Sequence, residues 1–459
     1  MTDSIPDIAG IVGAARVLDS EAAAGRATSF WNSGPMQARA LAMPGSTTEV
    51  AEILRACHGS DQAVITQGGL TNCVCAVEPT RDDIVLSTEK MTDIVEIDPV
   101  GGTAVVEAGM VLQNFQEAMA AEGLYFPLDL GARGSCTIGG NIATNAGGIN
   151  VLRYGMMRNL VLGLETVLAD GTVISSLNRM LKNNAGYDTK QLFIGSEGSL
   201  GIVTRAVLRL FPQPKSRQDA LVALDSFDKV VALLGRLQTE LAGTLSAFEI
   251  MWGDYYHEVT GEGWHRPPLA RDHAFYVVFQ SEGSDPQADE ARFERVLEAA
   301  FDEGLIVDAV LPKSDTEVRD IWNIREDFEA ILQYDPQYLY DVSLPIRDME
   351  TYVSEVYRLL EERLPGSVAF TLGHIADGNL HLFVCPRQEG DHHDLANRCV
   401  YDPLRAYGGS VSAEHGIGMD KIKWLPHSRS PEDIALMRTL KKSLDPKNIL
   451  NPGRVLPPS

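Results

Sequence analysis

The segment PLDLGARGSCTIGGNIATNAGG, Pro127 to Gly148, constrains this chain more than any other. Its glycines fall at positions 131, 134, 139, 140, 147 and 148, interleaved with Ser, Thr and Asn. A flexible linker repeats such residues without apolar ones. Here Leu128, Leu130, Ile138 and Ile142 punctuate the glycines, so the segment reads as a folded loop. Glycine lets a main chain approach a partner closely and aims successive N–H groups at an anion. Two more loops share the character: QGGLTN (Gln67 to Asn72), which follows the short strand AVIT, and GSEGSLG (Gly195 to Gly201), expected to follow a strand. Three such loops suit one large ligand touched from several sides, such as a dinucleotide. Neither GxGxxG nor GxxxxGK[ST] occurs, so the Rossmann fingerprint and the P-loop do not account for them.

A chain of 459 residues exceeds what one hydrophobic core organises, so two or three domains are expected. The formal charge of −24 argues against a nucleic-acid partner, which needs clustered Lys and Arg. No apolar run reaches the roughly 18 residues of a membrane span, and MTDSIPDIAG lacks the basic and apolar regions of a leader, so a cytoplasmic protein is expected. No cysteines form a CxxC pair, and Cys73 and Cys75 read as small side chains beside a glycine turn.

In GSTTEVAEILRACHG, Ser46 stands three before Glu49 while Val50, Ile53, Leu54 and Cys57 keep helical spacing, which predicts a capped helix. IVEID-PVGG-TAVVEAG and LETVLA-DG-TVISS read as hairpins. A Pro-rich connector at Phe211 to Ser216 suggests a boundary, giving expected domains of 1–213, 214–411 and a C-terminal segment 412–459. Beyond it, helical stretches (SDPQADEARFERVLEAAFDEG; SDTEVRDIWNIREDFEAIL) alternate with short strands (HAFYVVFQ; FTLGH; HLFVC), as in an α+β domain.

TQGGLTN, PLDLGARGSCTIGGNIATNAGG, LRYG, GYDTKQLFIGSEGSLGI, GHIADGNLH, SAEHG and DPKNILNPG stand here in order. Their order and spacing resemble those of the FAD-dependent D-2-hydroxyacid dehydrogenases, flavoproteins of the vanillyl-alcohol oxidase type. The resemblance runs from about Pro44 to Pro452. It implies an α+β fold: a two-subdomain FAD-binding domain, a substrate (cap) domain with an antiparallel sheet, and a C-terminal helical segment. It also implies that Gln67, Gly68, Gly69, Leu70, Thr71 and Asn72 wrap the FAD pyrophosphate. Pro127, Leu128, Ser135, Gly139, Gly140, Asn141, Thr144, Asn145 and Gly148 would line the rest of the flavin, with Gly201 and Ile202 near the adenine and Asn451 also on the cofactor side. The first loop has no His, so noncovalent FAD is expected.

GHIADGNLH places His374 and His381 on either side of an Asp377-Gly378 turn that would close a hairpin. By itself this suits two satisfied histidines. Glu414 and His415 in SAEHG add a carboxylate and a further imidazole behind a Gly408-Gly409 turn, and two His with one carboxylate is a catalytic zinc set. The resemblance implies that His374, His381 and Glu414 bind zinc or another divalent metal. It implies too that His415 accepts the hydroxyl proton, Asn379 supports the turn and contacts substrate, and Asp377 stands behind the ligands. Arg325, on a predicted helix with Ile321, Ile324, Phe328 and Ile331 along its apolar face, reads as an exposed helical Arg from periodicity and as a substrate-carboxylate ligand from the resemblance.

Three positions depart from the hydroxyglutarate-oxidising members. Glu329 stands in place of a Thr, Leu339 in place of a Lys, and Phe383 in place of an Asn. These changes remove partners for a second carboxylate, so the expected substrate is a D-2-hydroxy monocarboxylate, lactate-like or with a larger side chain. D-2-hydroxyglutarate or D-malate is the alternative. A metallohydrolase without redox cofactor and a catalytically silent flavin-binding subunit are the competing classes. Reduced flavin needs an acceptor, an electron-transfer flavoprotein, cytochrome or quinone, which the sequence does not name, and a homodimer follows family habit alone.

Overall fold

The computed structural model describes residues 7–457; residues 1–6, part of the stretch from which no leader is expected, lie outside the described residues. The chain divides into two units. One comprises the described parts of Met1–Gly147, Gly155–Gln213 and Glu414–Ser459, the other Gly148–Tyr154 and Pro214–Ala413.

In the first unit, β1 (Val17–Asp19), β2 (Ala40–Ala42), β3 (Val64–Gln67) and β4 (Ile84–Ser87) form a sheet in the order β1-β2-β4-β3. Strands β2, β4 and β3 run parallel, and the edge strand β1 pairs antiparallel with β2. The helix read from GSTTEVAEILRACHG spans Thr47–Gly59, and the Ser46 side chain accepts the Glu49 amide. Glu49 in turn accepts the Gly45 amide at 2.7 Å and pairs with Arg16. Val50, Ile53, Leu54 and Cys57 pack into one core with the sheet residues Val64, Ile84 and Leu86.

The same unit holds a five-stranded antiparallel sheet. Its strands are β5 (Ile94–Asp98), β6 (Thr103–Glu107), β8 (Val161–Val167), β9 (Val173–Ser176) and β10 (Ile202–Arg209), in the order β5-β6-β10-β8-β9. Between β6 and β8 in sequence comes β7 (Leu124–Tyr125), which pairs with β11 (Phe211–Pro212) in a separate two-stranded sheet. Both hairpins expected from the sequence are present, as β5–β6 and β8–β9. The glycine-rich segment 127–148 is folded and contains a short helix, Ile138–Thr144. The expectation of a strand before GSEGSLG is corrected: a 3-10 turn, Thr189–Leu192, precedes it. Phe193 and Ile194 are buried there, and Arg158 binds the Ile194 carbonyl at 2.7 Å, so an apolar run that reads as a strand is satisfied without a ladder.

The second unit is built on a seven-stranded antiparallel sheet. It comprises β12 (Ser216–Leu224), β13 (Leu245–Trp252), β14 (Phe275–Gly283), β15 (Asp308–Val310), β16 (Tyr338–Ser343), β17 (Val368–Gly373) and β18 (Asn379–Cys385), in the order β15-β12-β14-β13-β17-β18-β16. Met251, Leu372, Phe370 and Phe383 on the sheet form one core with Tyr255, Ile321 and Ile324. The helix expected to run from 315 through Ile331 is corrected. It ends at Glu326, and a separate turn of helix, Glu329–Leu332, follows. Asp327 is the cause: its backbone is extended, one carboxylate oxygen accepts the Glu329 amide at 3.0 Å, and the other meets His265 at 3.0 Å.

Candidate active site

The second unit's hairpin β17–β18 pairs Leu372 with His381. It turns through Ile375–Asp377 and Gly378, whose φ of +90° favours glycine. This brings the His374 and His381 rings to a centroid separation of 5.3 Å at an 81° angle. On the neighbouring strand, Asp341 lies opposite His381 in register and is fully buried. Its carboxylate accepts the Asn379 side-chain amide at 2.8 Å and the Ala413 main-chain amide at 3.2 Å. Ala413 is the last residue of the second unit, so Asp341 fixes the point from which Glu414 extends. His374, His381 and Glu414 each bring one donor atom within 4.8 Å of the others. Two imidazole nitrogens and one carboxylate oxygen at that spacing fit zinc or another divalent ion.

Asp377 accepts the Asn379 amide at 3.3 Å and shapes the turn. The carboxylate that holds the His374 ring is a residue the sequence reading missed, Glu249 on β13. It lies 2.7 Å from His374 Nδ1 and 2.9 Å from Arg325 Nη2. Burial by itself raises the Glu249 carboxyl, but His374 and Arg325 outweigh it and hold the group below the usual carboxylate value. Arg325 is 8% exposed rather than solvent-facing, and its Nη2 comes within 3.4 Å of His374 Nε2. Its Nη1 donates to no protein acceptor among the described residues. Asn379 Oδ1 is also buried without a protein donor, an acceptor available to a bound ligand.

In the first unit the glycine loops pack on each other. A Cβ on Gly68 would come 2.4 Å from Thr137 Oγ1, and one on Gly69 would come 2.0 Å from the Ser135 carbonyl. A Cβ on Gly139 would come 2.7 Å from the Ala108 methyl carbon. The loop Gly68 to Asn72, with Leu70 at a φ of +60°, carries successive main-chain N–H groups that donate to no protein acceptor among the described residues. A run of donors of this kind fits a diphosphate. Pro127 and Leu128 are buried beside Phe126, and Gly140 and Thr144 lie along the short helix. Gly148 is the first residue of the second unit's 148–154 segment.

Several expected cofactor residues have side chains committed to protein. Asn72 accepts the Val74 and Ala76 amides, at 3.0 and 2.9 Å, and donates to the His415 carbonyl at 3.5 Å. Gln67 donates to the Val77 carbonyl, Asn141 contacts the Cys136 sulfur, and Asn145 accepts the Arg158 amide. Asn451 joins Thr66 of β3 to the Glu197 carbonyl at 2.9 and 2.6 Å. Gly201 approaches the Phe193 ring, and Ile202 is buried in the core.

Glu197 is the second residue missed. Its carboxylate accepts the Ile417 and Gly418 amides, at 2.7 and 2.8 Å, and so ties down the turn that follows His415. Both missed acids carried a signal. A charged residue is almost never fully buried without a partner, and Glu249 is the one charged residue of the mostly apolar LSAFEIMW. Of the substrate candidates, Leu339 lies opposite Phe383 in register, and the Phe383 ring is 5.4 Å from that of Phe328. Glu329 is exposed at the start of its helical turn.

Residues 38–176 match the FAD binding domain model, and residues 213–455 match the model of the FAD linked oxidases, C-terminal domain. A mitochondrial D-2-hydroxyglutarate dehydrogenase of Bos taurus is 41% identical over 91% of this chain and 77% of its own length. A D-2-hydroxyglutarate dehydrogenase of Xanthomonas citri pv. viticola is 38% identical over 93% of this chain and 90% of its own. Among solved structures, p-cresol methylhydroxylase with substrate bound superposes with a TM-score of 0.76 at 17% identity, covering 98% of this chain and 95% of that one, a likeness of fold.

Proposed function

Because this chain belongs to the FAD-linked oxidase family, as an FAD-dependent D-2-hydroxyacid dehydrogenase, we propose that it oxidises a D-2-hydroxy monocarboxylate to the 2-oxo acid with a divalent ion held by His374, His381 and Glu414. The convergence of those three donors within 4.8 Å, with the Arg325 guanidinium 3.4 Å from the His374 ring nitrogen, carries the reading. FAD supplies a two-electron acceptor for the hydrogen on C2. A divalent ion supplies Lewis-acid polarisation, which favours loss of a hydroxyl proton.

The chain's own residues do the rest. Arg325 presents its unengaged Nη1 to the substrate carboxylate and fixes the orientation of C2. His415 accepts the hydroxyl proton, and Asn72 together with Glu197 holds the main chain at His415 and two residues after it. Leu339, Phe383 and Phe328 give the substrate's far end apolar surroundings, with the unneutralised Glu329 nearby in sequence. Losing a partner of a desolvated carboxylate costs roughly 2 to 5 kcal/mol, which disfavours a second carboxylate on the substrate.

The test is an anaerobic absorption spectrum of the purified protein, with D-lactate, a longer apolar D-2-hydroxy acid, D-2-hydroxyglutarate and the L-enantiomers added separately. The reading expects flavin bleaching by D-monocarboxylates, little by D-2-hydroxyglutarate, and none after chelation. Equal rates with D-2-hydroxyglutarate and D-lactate would remove the substrate assignment while leaving the reaction class.

A further inference from the structure

Glu249 sits in β13, a strand whose eight residues are all buried. A carboxylate there is costly unless each oxygen is matched. Here one oxygen faces His374 Nδ1 at 2.7 Å, and the other takes Arg325 Nε at 3.0 Å and Nη2 at 2.9 Å. One side chain is therefore bonded to a ligand of the proposed metal and to the proposed substrate-carboxylate residue at once.

The geometry points to Glu249 as a positioning residue that sets the metal site and the carboxylate clamp together, an inference that rests on the metal reading above. An ionised carboxylate only accepts, so Nδ1 must carry the proton and Nε2 keeps its lone pair for a metal. The same carboxylate engages Nε and Nη2 of Arg325, which fixes the guanidinium plane and leaves Nη1 for a ligand. The bland alternative is that Glu249 merely neutralises a buried Arg325. The two roles separate on replacement by Gln. One Gln terminus is a donor, so either His374 Nδ1 loses its acceptor or Arg325 meets a donor. Loss of the charge alone also weakens binding of a dication, so the Glu249→Met/Arg325→Met variant, in which both charges leave together, separates charge balance from positioning.

Apo-protein prepared with a chelator would be titrated with zinc sulfate against a chromophoric competitor, for the parent, Glu249→Gln and His381→Ala, with thermal unfolding followed in parallel. The expected result is one tightly bound zinc in the parent, none in His381→Ala, and a Kd weakened about 10- to 100-fold in Glu249→Gln that still unfolds cooperatively. Parental zinc affinity in Glu249→Gln overturns the role of Glu249 and leaves the metal reading standing. A parent that takes up no zinc overturns both. The double variant Glu249→Met/Arg325→Met is titrated whether or not Glu249→Gln folds, and parental zinc affinity there overturns the proposal while weakened affinity supports it.

Discussion

Asp341 and Ala413 are joined by a hydrogen bond of 3.2 Å from the Ala413 amide to the Asp341 carboxylate, whose other oxygen accepts the Asn379 side chain at 2.8 Å. One buried acid therefore registers the turn between the two histidines against the segment that delivers Glu414. Asp341→Ala strands buried donors on both sides, and we expect a stability loss of about 2 to 3 kcal/mol in denaturant titration. Zinc affinity should weaken at least tenfold as Glu414 drifts from the pair. Asp341→Asn, which keeps an acceptor oxygen, should lose less on both counts.

Glu197 gives a prediction with a pH sign. Burial raises its carboxyl above the ordinary value of 4.5, against the opposing pull of the Ile417 and Gly418 amides and the Lys421 charge. An acid with a raised native pKa keeps its proton longer in the folded state than in the unfolded chain. Its contribution is therefore full below the unfolded value and is lost as pH rises through the native one. Gln mimics the protonated form, so the Tm of the parent relative to Glu197→Gln should fall as pH rises from about 4 to 7. A flat or rising difference would contradict the assignment. Glu197→Ala, which frees the turn after His415, should lower kcat roughly 10- to 100-fold, the scale of a misplaced base.

The residues that announce chemistry by type and motif were legible: His374, His381 and Glu414 come together, and the capped helix Thr47–Gly59 and both hairpins of the first unit form as their patterns direct, whereas Arg325, exposed by periodicity, is buried against Glu249. What escaped depends on long-range partners. Nothing local says that Glu249 meets residues 76 and 125 positions away. Likewise helical spacing continues through Phe328, yet Asp327 finds His265 and the Glu329 amide and breaks the helix. Glycine loops were legible as loops, but the tight packing of Gly68 and Gly69 on Ser135 and Thr137 is a tertiary fact that a ligand reading alone overlooks.

That packing makes flavin content a direct test of the first unit. A methyl at position 69 would collide with the Ser135 carbonyl at 2.0 Å, a main-chain atom that cannot swing aside. Gly69→Ala should displace the loop Gly68 to Asn72 and yield protein with less than about half the parental flavin, since its row of amides no longer converges on a diphosphate. From the parent, heat or acid should release all the flavin into the supernatant, as noncovalent binding requires. The Cys73 sulfur is already engaged by Trp31 Nε1 at 3.2 Å and by the Thr71 carbonyl at 3.6 Å. Flavin that stays with the precipitate would point to a covalent link instead.

On the proposed function, substrate choice should turn on two paired positions. Leu339 and Phe383 face each other across β16 and β18, and Phe383 follows His381 by two residues, so its side chain lies on the same sheet face as that ligand. Phe328, three residues beyond Arg325, sets its ring 5.4 Å from that of Phe383 at an angle of 41°. Under the proposed binding mode, a substrate held by Arg325 at one end would meet hydrocarbon at the other, where a second carboxylate would be desolvated without a cation. Leu339→Lys with Phe383→Asn supplies an ammonium and an amide at those places. The pair should raise kcat/KM for D-2-hydroxyglutarate relative to D-lactate by at least about 30-fold, near 2 kcal/mol and the low end of what a desolvated charge pair contributes. Each single change should give less than half that gain in free energy, because the ammonium needs the space that Phe383 fills. An unchanged ratio in the double variant would mean that specificity is set elsewhere, and Glu329 would be the next position to neutralise.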